Sequence, residues 1–97
     1  MLDYKLTKQA FTKLTELSRD NPKVAKNIKE VIVNLRYELI SGESLTGYSK
    51  FKKIRTGKYR LIYTVKDDVL LIAIIEKREI VYKTFEHLFK SSSSFNL

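Results

Sequence analysis

The 97-residue sequence predicts an α+β fold in a single small domain, and three observations carry that prediction. The hydrophobic period changes from two to about 3.6 at Thr7, which marks a strand running into a helix. Asp20-Asn21-Pro22 then divides two amphipathic helical stretches. From about Ser49 onward the pattern is of strands, separated by turn chemistry at Thr56-Gly57-Lys58 and Lys66-Asp67-Asp68. The architecture that follows is an N-terminal strand, an α-helical hairpin packed on one face of an antiparallel β-meander, and a short C-terminal helix.

In the first strand, residues 2–6, Leu2, Tyr4 and Leu6 alternate with Asp3 and Lys5. The first helix starts at Thr7, and its spacing puts Ala10, Phe11, Leu14 and Leu17 on one face. Asn21 is an expected N-cap for the second helix, with Pro22 at the first helical position, where its missing N–H costs nothing. Val24, Ile28, Val31, Ile32, Leu35 and Leu39 extend that helix to about Ile40. Ser41-Gly42-Glu43-Ser44 reads as a break and Leu45-Thr46-Gly47 as a connector. Strands follow at 50–56, 59–66 and 69–76. The last of them contains VLLIAII, apolar on both faces, and is expected to be central and doubly covered. Val81, Phe85 and Leu88 give the final helix an apolar side. The domain is expected over residues 1–90, with 91–97 a serine-rich tail.

A formal net charge of +8 and a sequence pI near 9.7 point to polyanionic partners. There is no cysteine and a single histidine, His87, so disulfides, thiol chemistry and a transition-metal site are not expected, and no cofactor is implied. No apolar run reaches the roughly 20 residues that span a bilayer, and the MLDYKL start lacks the form of a signal peptide. The expected setting is the cytoplasm, without a membrane partner.

The charge is densest in KFKKIRTGKYR, residues 50–60, which contains Lys50, Lys52, Lys53, Arg55, Lys58 and Arg60 and no acid. A two-residue loop at Gly57-Lys58 pairs Thr56 with Tyr59, Arg55 with Arg60 and Lys53 with Ile62. Alternation then sends Lys53, Arg55 and Arg60 to one face, and Ile54, Leu61 and Tyr63 to the other, under the helices. A second such loop at Asp67-Asp68 sets Tyr63 against Ile72 and Leu61 against Ile74, with Arg60 near Ile75 and near the exit of the chain at Arg78 and Tyr82. Two cross-strand arginines repel unless an anion or carboxylate lies between them. Lys50, Lys52 and Lys58 read as a solvated edge or as general phosphate attraction. Tyr59 and Tyr63 read as core, and Tyr37 and Tyr48 are open to stacking on a base.

RTGKYRLIY (55–63), EKREIVY (76–82) and the Leu45-Thr46-Gly47 step, in this order of elements, resemble the RelE-type toxins of the RelE/ParE superfamily over nearly the whole chain. The resemblance implies a RelE-like fold and a toxin of a type II toxin-antitoxin system. The implied activity is a metal-independent endoribonuclease that cuts mRNA in the ribosomal A site. Its implied partners are a RelB-like cognate antitoxin, mRNA and the ribosome with its rRNA. Carried over by position, Arg60 steadies the scissile phosphate, with Lys53 on the strand before it. Arg78 stabilises charge or acts as the acid, and Tyr82 orients or deprotonates the ribose 2'-OH. Lys52 and Arg55 are further phosphate contacts, with Lys50 and Lys58 less specific. One branch of the superfamily uses a glutamate base from the loop before the basic strand, which brings Glu43 into view without a clear register.

Attack by the 2'-OH needs a base at that hydroxyl, positive charge at the phosphate, and a proton or charge for the leaving 5'-oxygen. Arginine stabilises a pentavalent phosphate well and exchanges protons badly. Tyrosine, with a reference pKa near 10, is an inefficient base at neutral pH. Without a catalytic histidine, much of the rate must come from positioning, which a ribosome-held substrate supplies and free RNA does not. Three alternatives remain open on the sequence: a ParE-like gyrase inhibitor, a non-catalytic RNA-binding module of the same fold, and a toxin fold that has lost activity.

Overall fold

The computed structural model describes residues 1–90, and the serine-rich tail at 91–97 lies outside the described residues. The elements are β1 (Asp3–Leu6), α1 (Lys8–Asp20), α2 (Pro22–Arg36), β2 (Glu43–Leu45), β3 (Tyr48–Thr56), β4 (Tyr59–Lys66), β5 (Val69–Lys77) and α3 (Val81–Lys90). They form one five-stranded sheet in the order β1-β5-β4-β3-β2, antiparallel except for the parallel β1–β5 pair. The α1–α2 hairpin covers one face and α3 the other. β5 is an interior strand with helices over both faces, as its apolar run requires, although β4 rather than β5 is the middle strand.

Thr7 caps α1, its Oγ1 accepting from the Ala10 N–H at 3.2 Å, and it donates in turn to the Ala73 carbonyl. Ala10 and Leu17 are buried and Leu14 partly so, but Phe11 is 60% exposed, against expectation. At about 100° per residue, Ala10, Leu14 and Leu17 lie within one narrow stripe and Phe11 falls about 60° outside it. At the α1–α2 junction Pro22 opens α2 as expected, but the Asn21 side chain makes no cap bond. The Asn21 backbone serves both helices instead: its N–H donates to Leu17 and its carbonyl accepts from Ala25. Next to it the Arg19 guanidinium forks onto Asp20 at 2.8 and 3.1 Å, which holds the Asp20 carboxyl below its ordinary range.

α2 stops at Arg36, four residues before the expected end at Ile40. The Arg36 carbonyl, which an Ile40 N–H would need, already accepts from Leu2 N–H at 2.9 Å, and Arg36 Nε donates back to the Leu2 carbonyl. The helix closes in a Schellman pattern, Glu38 N–H to Leu35 and Leu39 N–H to Asn34, with Glu38 left-handed at φ 58°. Leu39, assigned by spacing to the buried face, is therefore 72% exposed.

Two further expectations are corrected in the sheet. The break and connector before the basic segment contain a strand: β2 pairs with β3, Glu43 opposite Lys53 and Ser44 opposite Lys52, and buries Leu45. Three residues with an irregularity after Ser44 are too short to show a period. The β3–β4 register is as expected, with Thr56↔Tyr59, Arg55↔Arg60 and Lys53↔Ile62. Between β4 and β5, Tyr63 meets Ile72 as expected, but Ile62 meets Ile74 and Leu61 meets Ile75 rather than Ile74. Ala73 is the extra residue of a bulge, and counting in twos cannot see it. Arg60 consequently faces Glu76, not Ile75.

The core on the hairpin side joins Leu61, Tyr63, Leu70, Ile72 and Ile75 to Ala10, Leu17, Ile28, Ile32 and Leu35. On the α3 side a second cluster joins Leu45, Phe51, Ile62, Ala73 and Ile74 to Val81 and Phe85. Tyr48 belongs to this packing, edge-on to Phe85 at 4.9 Å, rather than standing free to stack on a base. Among the described residues no helix is long and apolar enough to cross a membrane, and no His/Cys/Asp/Glu group could hold a metal.

Candidate functional site at the uncovered end of the sheet

β3 sends Phe51, Lys53 and Arg55 to the α3 side, and β4 sends Arg60 and Ile62 to the same side. α3 covers Phe51 and Ile62 with Val81 and Phe85 but begins only at Val81, so the strand ends beyond it carry charge in place of apolar contacts. There β2 brings Glu43 opposite Lys53. Ser41, Gly42, Glu43, Lys53, Ile54, Arg55 and Arg60 line a cavity of about 300 Å³.

Tyr82, in the first turn of α3, ties the cationic residues together. Arg60 Nη1 donates to the Tyr82 hydroxyl at 2.9 Å, and Lys53 Nζ lies 5.5 Å from the centroid of the Tyr82 ring. A cation over the ring face is favourable by about 0.5–2 kcal/mol. The hydroxyl accepts from Arg60, so its own proton is free to be donated elsewhere. Arg60 Nε is buried and has no hydrogen-bond partner. An unmet buried donor of this kind costs about 1–3 kcal/mol, and more when charged, a cost that an acceptor reaching it removes.

The guanidinium has no ion pair among the described residues, even though Glu76 stands opposite it in register. The Glu76 carboxylate is engaged elsewhere, 3.2 Å from Gln9 Nε2 and 3.4 Å from Lys13 Nζ.

Other basic residues are dispersed. Lys52 points to the opposite face, its Nζ donating to Ser41 Oγ at 3.3 Å. Lys50 is exposed, and its carbonyl accepts from Thr64 Oγ1 at 2.6 Å. Lys58 sits in the β3–β4 turn, and its carbonyl accepts from the Arg78 N–H at 3.1 Å. That bond fixes the Arg78 backbone beside the turn, but the exposed Arg78 side chain does not line the cavity.

Glu43 owes its place to Gly42. A Cβ built on Gly42 would lie 2.3 Å from the Lys53 carbonyl oxygen, so only glycine lets β2 approach so closely. The Gly42 N–H donates to the Tyr63 hydroxyl at 2.7 Å, which fastens the start of β2 to β4. The sequence signal for this was the glycine one residue before an acid. It became readable only once β2 was known to be a strand.

Residues 4–82 match the family model described as ParE toxin of type II toxin-antitoxin system, parDE. Among solved structures, the chain is 25% identical to a chain of the YoeB-YefM complex from Staphylococcus aureus, with a TM-score of 0.69, covering 80% of this chain and 98% of that one. The YoeB dimer from the same organism gives 25% identity, a TM-score of 0.70, and 79% and 97% coverage. The isolated RelE toxin of E. coli is alike in fold, with a TM-score of 0.70 at 21% identity and coverage of 93% and 98%. No curated protein matches the sequence.

Proposed function

Because the chain belongs to the ParE toxin family of type II toxin-antitoxin systems, we propose that it is the toxin of such a pair and acts as a metal-independent endoribonuclease on mRNA in the ribosomal A site. The observation that carries this reading is Arg60, whose buried Nε has no partner and whose side chain lines a cavity with Lys53, Arg55 and Glu43. Gyrase inhibition by binding alone, or passive binding of RNA, requires neither a guanidinium held short of a partner nor an acid beside it. A neutralising antitoxin is the natural partner, as YefM is in the complex with YoeB.

In this mechanism the scissile phosphate docks on Arg60, whose Nε and free Nη positions grip two of its oxygens, with Lys53 and Arg55 adding charge. The ribose 2'-oxygen attacks phosphorus in line with the departing 5'-oxygen, giving a 2',3'-cyclic phosphate and a free 5'-hydroxyl. Glu43 is the base for the 2'-OH, because among the described residues it is the one carboxylate that lines the cavity with these cations. Tyr82 orients Arg60 and presents its proton toward the phosphate or the leaving oxygen. Arg78, held beside the turn by its backbone, supplies charge to the leaving group from the rim. The few proton-transfer groups leave positioning to supply much of the rate, so free RNA is cut slowly.

Toeprinting of mRNA on programmed ribosomes tests the reading. The wild type should produce cuts at the A-site codon, and Arg60→Ala, Glu43→Gln, Arg78→Ala and Tyr82→Phe should weaken them. Intact mRNA together with loss of gyrase supercoiling would replace the nuclease reading with gyrase inhibition.

A further inference from the structure

β1 pairs with β5 only from Asp3↔Val69 to Leu6↔Ile72, so the remainder of that edge of β5 has no strand beside it. Gln9, in the first turn of α1, takes the place of one. Its side-chain nitrogen donates to the Ile75 carbonyl at 2.9 Å, and its side-chain oxygen accepts from the Ile75 N–H at 3.0 Å. The same nitrogen reaches Glu76 Oε2 at 3.2 Å, while Lys13 Nζ, one helical turn further along, lies 3.4 Å from Glu76 Oε1. Both oxygens of Glu76 are thus held on the β1 side of β5.

Glu76 is also the direct cross-strand neighbour of Arg60. Such neighbours share a face of the sheet, with Cβ atoms about 4.5–5.5 Å apart, well within the reach of a glutamate and an arginine toward each other. The Arg60 Nε left without a partner is the kind of donor that an adjacent carboxylate takes. Glu76, at 9% exposure, is therefore a rival to any phosphate for Arg60, and the structure shows that rival drawn off to the other side.

The geometry points to Gln9 and Lys13 as positioning residues, which tether Glu76 away from Arg60 and so leave its guanidinium to the RNA phosphate. This rests on the cleavage reading above and adds two residues on α1 that touch no substrate. An edge cap that merely stabilised the sheet would not involve the charge state of residue 76. A tether predicts that removing the charge of Glu76 undoes the damage of cutting it loose.

The test uses the full chain in two assays. In ribosome-dependent mRNA cleavage, Gln9→Met, which leaves net charge unchanged, and Lys13→Met, which leaves the Ile75 bonds intact, should each lower kcat/KM by roughly tenfold, within the range of coupled neighbours. Adding Glu76→Gln to either should restore most of the loss. In the second assay, the NMR signal of Arg60 Nε–Hε is followed during titration with inorganic phosphate. It should move readily in the wild type, start displaced and resist phosphate in Lys13→Met, and recover in Lys13→Met with Glu76→Gln. Single variants that cut at wild-type rate, or a Glu76→Gln that restores nothing in either assay, would overturn the tether. If the wild type itself cuts no mRNA, the cleavage reading falls, and the phosphate titration alone decides the tether.

Discussion

On the side of α1 and α2 the sheet is covered continuously, from Leu70 and Ile72 through Leu61 and Tyr63 to Ile54. On the side of α3 the cover is partial: aromatic packing from Tyr48, Phe51 and Phe85 occupies one end, and Lys53, Arg55, Arg60 and Glu43 occupy the other. β3 and β4 supply side chains to both faces, so the difference lies in what was left uncovered. One face spends its side chains on burial, and the other keeps a buried donor unsatisfied beside a cavity. Marginal stability tolerates a few such defects, and they are informative where they cluster with an acid and several cations.

Substitutions that separate burial from chemistry sharpen this contrast. Glu43→Gln should cause the largest loss: about 10²–10⁴-fold in single-turnover cleavage on ribosomes, roughly 3–5.5 kcal/mol of barrier, with an unchanged urea midpoint. Phe85→Ala does the reverse. It removes the centre of the α3-side cluster and should cost about 3–5 kcal/mol of unfolding free energy in urea titrations. Cleavage should fall with it, because α3 carries Tyr82. Gly42→Ala sits between the two cases. A methyl 2.3 Å from the Lys53 carbonyl must push β2 outward, costing about 1–3 kcal/mol of stability and displacing Glu43. A cleavage loss larger than the stability loss is the mark of that displacement. The smallest effect is a gain. Glu38→Gly relieves a left-handed residue at the C-terminus of α2 and should raise stability by up to about 1 kcal/mol in thermal melts, with cleavage untouched.

The sequence carried the parts of this account that depend on local pattern. Alternation around Gly57-Lys58 was enough to place Lys53, Arg55 and Arg60 on one face, because a two-residue loop leaves a single register. What it missed depends on distant segments. The bulge at Ala73, the early end of α2 against Leu2, and the strand character of Glu43–Leu45 are each decided by a partner far along the chain. The resemblance makes Lys52 a phosphate contact, whereas alternation from Lys53 puts it on the opposite face, with its Nζ at Ser41 on the cavity rim. The resemblance brings Glu43 forward as a base without fixing its register, and the Gln9–Glu76 contact spans 67 positions. No periodicity records such a contact.

The proposed mechanism has Arg60 act through its unpartnered Nε and planar fork and not through charge alone. Arg60→Lys keeps the charge and removes both Nε and the planar fork. Single-turnover cleavage of A-site mRNA on programmed ribosomes, compared between wild type and Arg60→Lys at saturating toxin, tests it directly. A fall of about 10² or more is predicted, comparable to the loss of one preorganised donor at a reacting oxyanion. A rate within a few-fold of wild type would show that simple positive charge suffices and would contradict the account.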